Sequence, residues 1–414
     1  MDLRAKSLEK ASDQQFVRSL NKASIIDLIR QAESGISRAE LAEALEVSRT
    51  TVSAIIADLL TEGLVLERGA GASRGGRRPI VLEINPDAGR VVGVDLGATH
   101  LVVLVADLNG RVLAGAEEPL AIAAGPEPCL EQALALVAAT LGQACSRLDQ
   151  VRAIGVGVPG PVIAEQGIVS APPIMPGWDA YPIRAALAAR WQRPTTLDND
   201  ADLGALGEWT FGAGQGANNL AYIKIGTGIG CGLLLDGHIY RGVLGTAGEI
   251  GHVTVSESGP PCTCGNYGCL EAMAGGRAIA QRAELAVRAG QRTSLAQVAG
   301  SGPLTTRAVA QAAAEGDMVA QQLLADAGRH IGSAVASLIN LLNPGRVVLG
   351  GGVTKSGSYL LDPLHQAIAE RTMRPSRQAA QVVLAQLGRR SVALGAVSQA
   401  LSQTFQQAVT RPAG

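Results

Sequence analysis

The densest chemistry in the chain lies between residues 249 and 271. Glu249 and His252 are followed by Cys262, Cys264 and Cys269, with Glu271 close behind. One imidazole and three thiolates make a tetrahedral Zn²⁺ set of the Cys3His type, and four protein ligands leave no open position, so this zinc is structural. Free buried thiols or a disulfide are the alternatives; glycines at 265 and 268 favour a tight loop around a metal. Such a zinc would fix the loop that carries Glu249 and Glu271. A second polar group, Asp198, Asn199, Asp200 and Asp202, follows residues 194–197, which read as the end of a strand. Carboxylates at the C-terminal edge of a strand in an α/β cleft are candidates for a general base or for polyol ligands. Helix capping by Asp and Asn fits the same composition equally well.

Glycine turns supply a third kind of candidate. Residues 91–100 read strand, Gly turn and the start of a second strand, and Asn109-Gly110 then closes a hairpin. Residues 220–237 repeat the arrangement around Gly226, Thr227 and Gly228, and Gly351 sits in a Gly triplet after the apolar 347–349. Turns of this kind present backbone amides to phosphate oxygens. Two related strand-turn-strand units predict a duplicated α/β fold with a nucleotide-type cleft between its halves.

The elements ahead of this region have a different texture. Ser37 and Glu40 fit a capping box, Glu46 and Val47 a turn, and Ser48 the N-cap of a further helix. In that helix Val52, Ile55, Ile56, Leu59 and Leu60 share one face; Thr50, Thr51, Ala54 and Ala57 lie opposite, flanked by Arg49 and Ser53. Small and hydroxyl-bearing residues let a helix approach base edges closely. Residues 64–66 and 80–84 read as two strands of a wing whose tip carries Arg74, Arg77 and Arg78 and no acid. An extended Gly-Arg-Arg-Pro segment suits the negative potential of a narrow minor groove. The pattern is that of a winged helix-turn-helix, with Ser48, Arg49, Thr50, Thr51, Ser53, Arg74, Arg77 and Arg78 as DNA-binding candidates.

Composition narrows the field. At 414 residues the chain needs more than one core. A net charge of -1 excludes a protein held to DNA or membrane by bulk charge, and 3% aromatics leaves little for stacking single strands. The charged N-terminus has no apolar signal core and no run reaches membrane-spanning length, so a cytoplasmic protein without a membrane partner is expected.

Together these motifs resemble the ROK family of repressors, open reading frames and sugar kinases. The resemblance covers nearly the whole chain and is carried by Glu249, Gly251, His252, Cys262, Cys264, Gly265, Gly268, Cys269 and Glu271. It implies a winged helix-turn-helix over residues 1–85, then a duplicated actin-like, ribonuclease-H-like sugar kinase fold. Its α/β lobes would cover 86–206 and 207–414, the final helix returning to the first. The family pattern implies Asp200 as the base toward a sugar hydroxyl, and Gly160, Asn199, Asp200, Glu249, His252 and Glu271 as sugar ligands, His252 also binding zinc. Asp95, Gly97 and Thr99 match its first phosphate motif, and Gly226, Thr227 and Gly228 its second.

The departures bear on function. Ala98 stands where the kinase pattern has a second Gly, His100 follows Thr99, and Asp202 replaces an Asn. A Cβ at 98 hinders close approach of the backbone to phosphate. The reading that follows is a sugar-responsive regulator, a repressor of carbohydrate genes whose partners are operator DNA, a monosaccharide and a second copy of itself in a homodimer or higher oligomer. The alternative is a hexose kinase using ATP and Mg²⁺.

Overall fold

The computed structural model describes residues 3–32, 34–70, 80–172 and 174–410; for residues 3–14 and 70 only the backbone is described. Arg74, Arg77 and Arg78 lie outside the described residues. The N-terminal unit opens with the long helix α1 (Leu3–Gln31), followed by β1 (Ile36–Ser37), α2 (Arg38–Ala44) and α3 (Arg49–Thr61). Ser37 and Glu40 form the expected capping box, and Ser48 Oγ accepts from Thr51 N–H at 3.1 Å. Strands β2 (Val65–Ala70) and β3 (Ile80–Ile84) make the wing. The two-residue β1 joins them as a third strand, in the order β1-β3-β2, an addition the apolar pattern did not show.

The first lobe contains β4 (Arg90–Leu96), β5 (His100–Ala106), β6 (Val112–Pro119), α4 (Pro126–Gln143), β7 (Val151–Val158) and the hairpin β8 (Val162–Ile163) and β9 (Ile168–Val169). It continues with α5 (Ile183–Trp191), β10 (Thr195–Asn199) and α6 (Asp200–Phe211). The second contains β11 (Leu220–Ile225), β12 (Ile229–Leu235) and β13 (His238–Ile239), then α7 (Leu270–Ala274), α8 (Gly276–Arg288), α9 (Leu295–Ala299), α10 (Thr306–Ala314) and α11 (Met318–Leu342). After β14 (Arg346–Gly350) come α12 (Ser358–Arg371), α13 (Arg374–Ala379), β15 (Gln381–Leu384) and α14 (Ser391–Thr410).

The sheet orders are β10-β7-β4-β5-β6 and β13-β12-β11-β14-β15. Reversed, the second matches the first strand for strand, with the first three strands antiparallel and the last two added in parallel. The duplication expected from the two glycine turns is therefore present in the topology. Central strands buried on both faces read as continuous apolar runs, as β4 and β5 do.

Helix α14 runs back to pack on β4 and β7 and along α6. Its far end meets the N-terminal unit: Ala400, Leu401, Phe405 and Ala408 share one core with Ile25, Ile29, Leu41, Leu82 and Ile84. The Arg30 guanidinium lies 4.9 Å from the Phe405 ring centre. Asn85-Pro86 opens a short 3-10 turn, but no gap in the core accompanies it. Two ion pairs, Arg18–Asp58 and Lys22–Glu62, clamp α1 to α3.

Candidate functional site

The junction of β10 and α6 brings the acidic cluster into the cleft. Asn199 ends the strand and caps the helix, its Oδ1 accepting from Ala201 N–H at 2.7 Å and Asp202 N–H at 3.3 Å. Its Nδ2 donates to Gly160 O at 2.7 Å, so the amide ties the β7 loop to the helix start. Asp198 is buried and held by Arg241 from the second lobe and by Gln399 Nε2 of α14 at 2.8 Å. Asp200, the first residue of α6, accepts from Lys224 Nζ at 2.6 Å. Asp202 is buried behind it, and burial, followed by the charge of Asp198, raises its carboxyl well above the usual range.

Across the cleft, Gly248 turns the chain so that Glu249 and His252 face the same space. Burial raises the Glu249 carboxyl, with Glu271 and Asp200 adding to the effect and His252 opposing it. Glu271, in the first turn of α7, accepts from Ile229 N–H at 2.9 Å. A Cβ on Gly228 would come within 2.1 Å of Glu271 Oε2, so this carboxylate lies directly on the second glycine turn. Other atoms of that turn have backbone partners: Gly226 N–H donates to Gly228 O, and Gly226 O and Thr227 O accept from Gly276 and Arg277 at the start of α8.

The two nitrogens of His252 point different ways. Nδ1 lies 3.6 Å from Cys262 Sγ, and Nε2 lies 3.8 Å from Glu249 Oε2. Cys264 Sγ and Cys269 Sγ are 3.7 Å apart, and the four potential ligand atoms all lie within 4.8 Å of one another. A tetrahedron with Zn–S bonds of about 2.3 Å has sulfur–sulfur edges of about 3.8 Å, so the cluster could hold a metal ion of this size. One ring can therefore link a metal to the pole that carries Glu249.

The first glycine turn is filled from within. His100 Nε2 donates to Asp95 Oδ2 at 3.1 Å, and the imidazole covers Gly97, where a Cβ would come within 2.5 Å of the ring. Ala98 packs on the first-lobe core and its carbonyl accepts from Ile122, while Thr99 O accepts from Leu120. Asp95 is 1% exposed, and its Oδ1 has no hydrogen-bond partner among the described residues. Gly351 closes the opposite wall with φ +91°, its backbone against the end of β11.

In the N-terminal unit Arg49, Thr50 and Ser53 are exposed on α3, with Thr51 partly covered and Val52, Ile55, Ile56 and Leu59 buried on the opposite face. Sequence reasoning missed Lys224, Arg241 and Gln399. A single Lys in an otherwise apolar strand was the available signal for the first; the other two are separated from their partner by whole elements.

A helix-turn-helix family model, described as an HTH domain, matches residues 21–73, and the ROK family model matches residues 91–403. The chain belongs to the ROK family. Among its ROK relatives, the xylose repressor of Caldicellulosiruptor bescii is 30% identical, covering 94% of this chain and 96% of that one. The Escherichia coli DNA-binding transcriptional dual regulator NagC is 32% identical over 92% of each chain. The crystal structure of a ROK family transcriptional regulator, a homologue of the E. coli MLC protein, superposes with a TM-score of 0.81 at 28% identity, covering 95% of this chain and 98% of that one. Both the ROK domain and the N-terminal unit thus have counterparts in regulators that span almost the same length. Among the described residues, no helix of this ROK protein is long and apolar enough to cross a membrane.

Proposed function

We propose that this protein is a sugar-responsive transcriptional regulator, a repressor that binds operator DNA through α3 and changes its affinity when a monosaccharide enters the cleft. The observation that carries this reading is the continuous core joining the DNA-binding unit to α14, the helix that also holds Asp198 through Gln399. A sugar that draws Glu249, His252 and Glu271 toward Asp200 would shift the second lobe against α6 and α14. Through Phe405 and Arg30 that shift reaches α1. A coupling of about 1–3 kcal/mol would change operator affinity about 5–150-fold.

In this reading Asp200, Glu249, His252 and Glu271 contact the sugar, while Asn199 and Gly160 shape the wall. Zinc occupies His252, Cys262, Cys264 and Cys269 and orients the Glu249 loop. Two copies place paired α3 helices in successive major grooves, with Arg49, Thr50 and Ser53 toward base edges and Ser48 and Thr51 at the helix start. The wing arginines Arg74, Arg77 and Arg78 enter this proposal from sequence alone.

The kinase reading draws on Asp200, which stands at a helix N-terminus facing the second lobe. Against it, His100 covers Gly97 and Glu271 lies on Gly228, the two turns that a nucleotide would need for its phosphates. The deciding experiment is fluorescence anisotropy of the full chain on DNA from its own upstream region, titrated with monosaccharides. Salt-sensitive binding released by one sugar is expected. Sugar-dependent ADP formation from ATP, absent in Asp200→Asn, would instead establish the kinase.

A further inference from the structure

Lys224 is the one charged residue of β11, and its ammonium meets Asp200 at the start of α6, within the field of Asp95 from the first glycine turn. It donates to Asp200 at 2.6 Å, with the two side chains 20% and 14% exposed. Burial opposes the positive charge, yet Asp200 and then Asp95 outweigh it, so the ammonium keeps its proton firmly. Asp95 is itself buried, with His100 on one oxygen and no partner on the other among the described residues.

We propose that Lys224 is a positioning residue that fixes Asp200 as a recognition group for a sugar hydroxyl. This rests on reading the cleft as a monosaccharide site. One lone pair of Asp200 is taken by the ammonium, and both side chains are mostly covered, so the carboxylate is held in one orientation. The remaining lone pairs of Asp200 still accept a hydroxyl hydrogen. The ammonium therefore fixes the carboxylate in the position from which it receives that hydroxyl. Binding energy at this point goes into recognition and lobe closure.

Calorimetric titration of the full-length protein with D-xylose, D-glucose and N-acetyl-D-glucosamine tests this, each with and without ATP and Mg²⁺. For whichever of these sugars binds, Lys224→Met should weaken affinity at least tenfold, and Lys224→Arg should restore it to within threefold of the parent. In an Asp200→Asn background, Lys224→Met should add less than a twofold further loss, because the partner it positions no longer carries a charge. Losses that multiply in the double variant would assign Lys224 a merely structural role and overturn the proposal. So would unchanged affinity in Lys224→Met, or ADP release by the parent that disappears in Asp200→Asn. A folded parent protein that binds none of the three sugars would remove the sugar reading of the cleft itself, and this proposal with it.

Discussion

Asp202 shows how one buried side chain shapes the pH response of the whole chain. Its carboxyl keeps its proton in the folded protein to well above the ordinary range, first because it is buried and then because Asp198 is close. The unfolded chain gives up that proton at lower pH. Folding stability therefore falls as pH rises past about 4 and stops falling only above the folded value, with a slope of at most about 1.4 kcal/mol per pH unit. Asp202→Asn should remove this slope: thermal unfolding near pH 4 should match the parent, and at pH 7–8 the variant should be the more stable. Parallel stability curves across that range would show that Asp202 is ionised in place. At this scale the candidate metal-binding cluster was legible because its four side chains lie within eighteen residues of sequence, from 252 to 269. Asp198 was not legible as an anchor. Its partners Arg241 and Gln399 come from another lobe and from the far end of the chain, and no local pattern encodes such a meeting.

Helices and strands were easier to anticipate where burial is one-sided. The face of α3 that carries Val52, Ile55, Ile56 and Leu59 is buried as its spacing required, and both N-terminal caps expected from Ser37 and Ser48 are made. The length of α1 and the short β1 escaped notice, because the residues ahead of Ile25 lack an apolar stripe and two residues cannot show alternation. Helix α14 matters most for function. One turn carries Gln399 against the floor of the cleft, and the next turns carry Leu401 and Phe405 against the DNA-binding unit. Gln399→Leu should leave sugar affinity and operator affinity each within about threefold of the parent. The coupling free energy between sugar and operator should fall by about 0.5–2 kcal/mol, a typical size for a change along such a route. Anisotropy measured with and without sugar provides both numbers, and an unaltered coupling free energy would place the route elsewhere.

The molecule as a whole is two copies of one sheet plan with a DNA-binding unit fused to the first, and the loop with the candidate metal ligands belongs to the second copy. Cys264→Ser should abolish stoichiometric zinc in the purified protein and weaken sugar response, since His252 would lose the group that fixes its ring. The DNA-binding unit should still bind operator. Retained sugar response in the metal-free variant would separate the loop from recognition. The duplicated plan was legible in the glycine turns; the core that joins residues of the first 85 to α14 was not, because its members come from opposite ends of the sequence. Because α14 completes the core of α1, α2 and α3, sequence changes on the two sides of that core are expected to be coupled. A chimera that exchanged only residues 1–85 between relatives would set foreign side chains against Phe405 and Ala408. New operator preferences grafted onto this regulator should therefore travel with their own copy of α14.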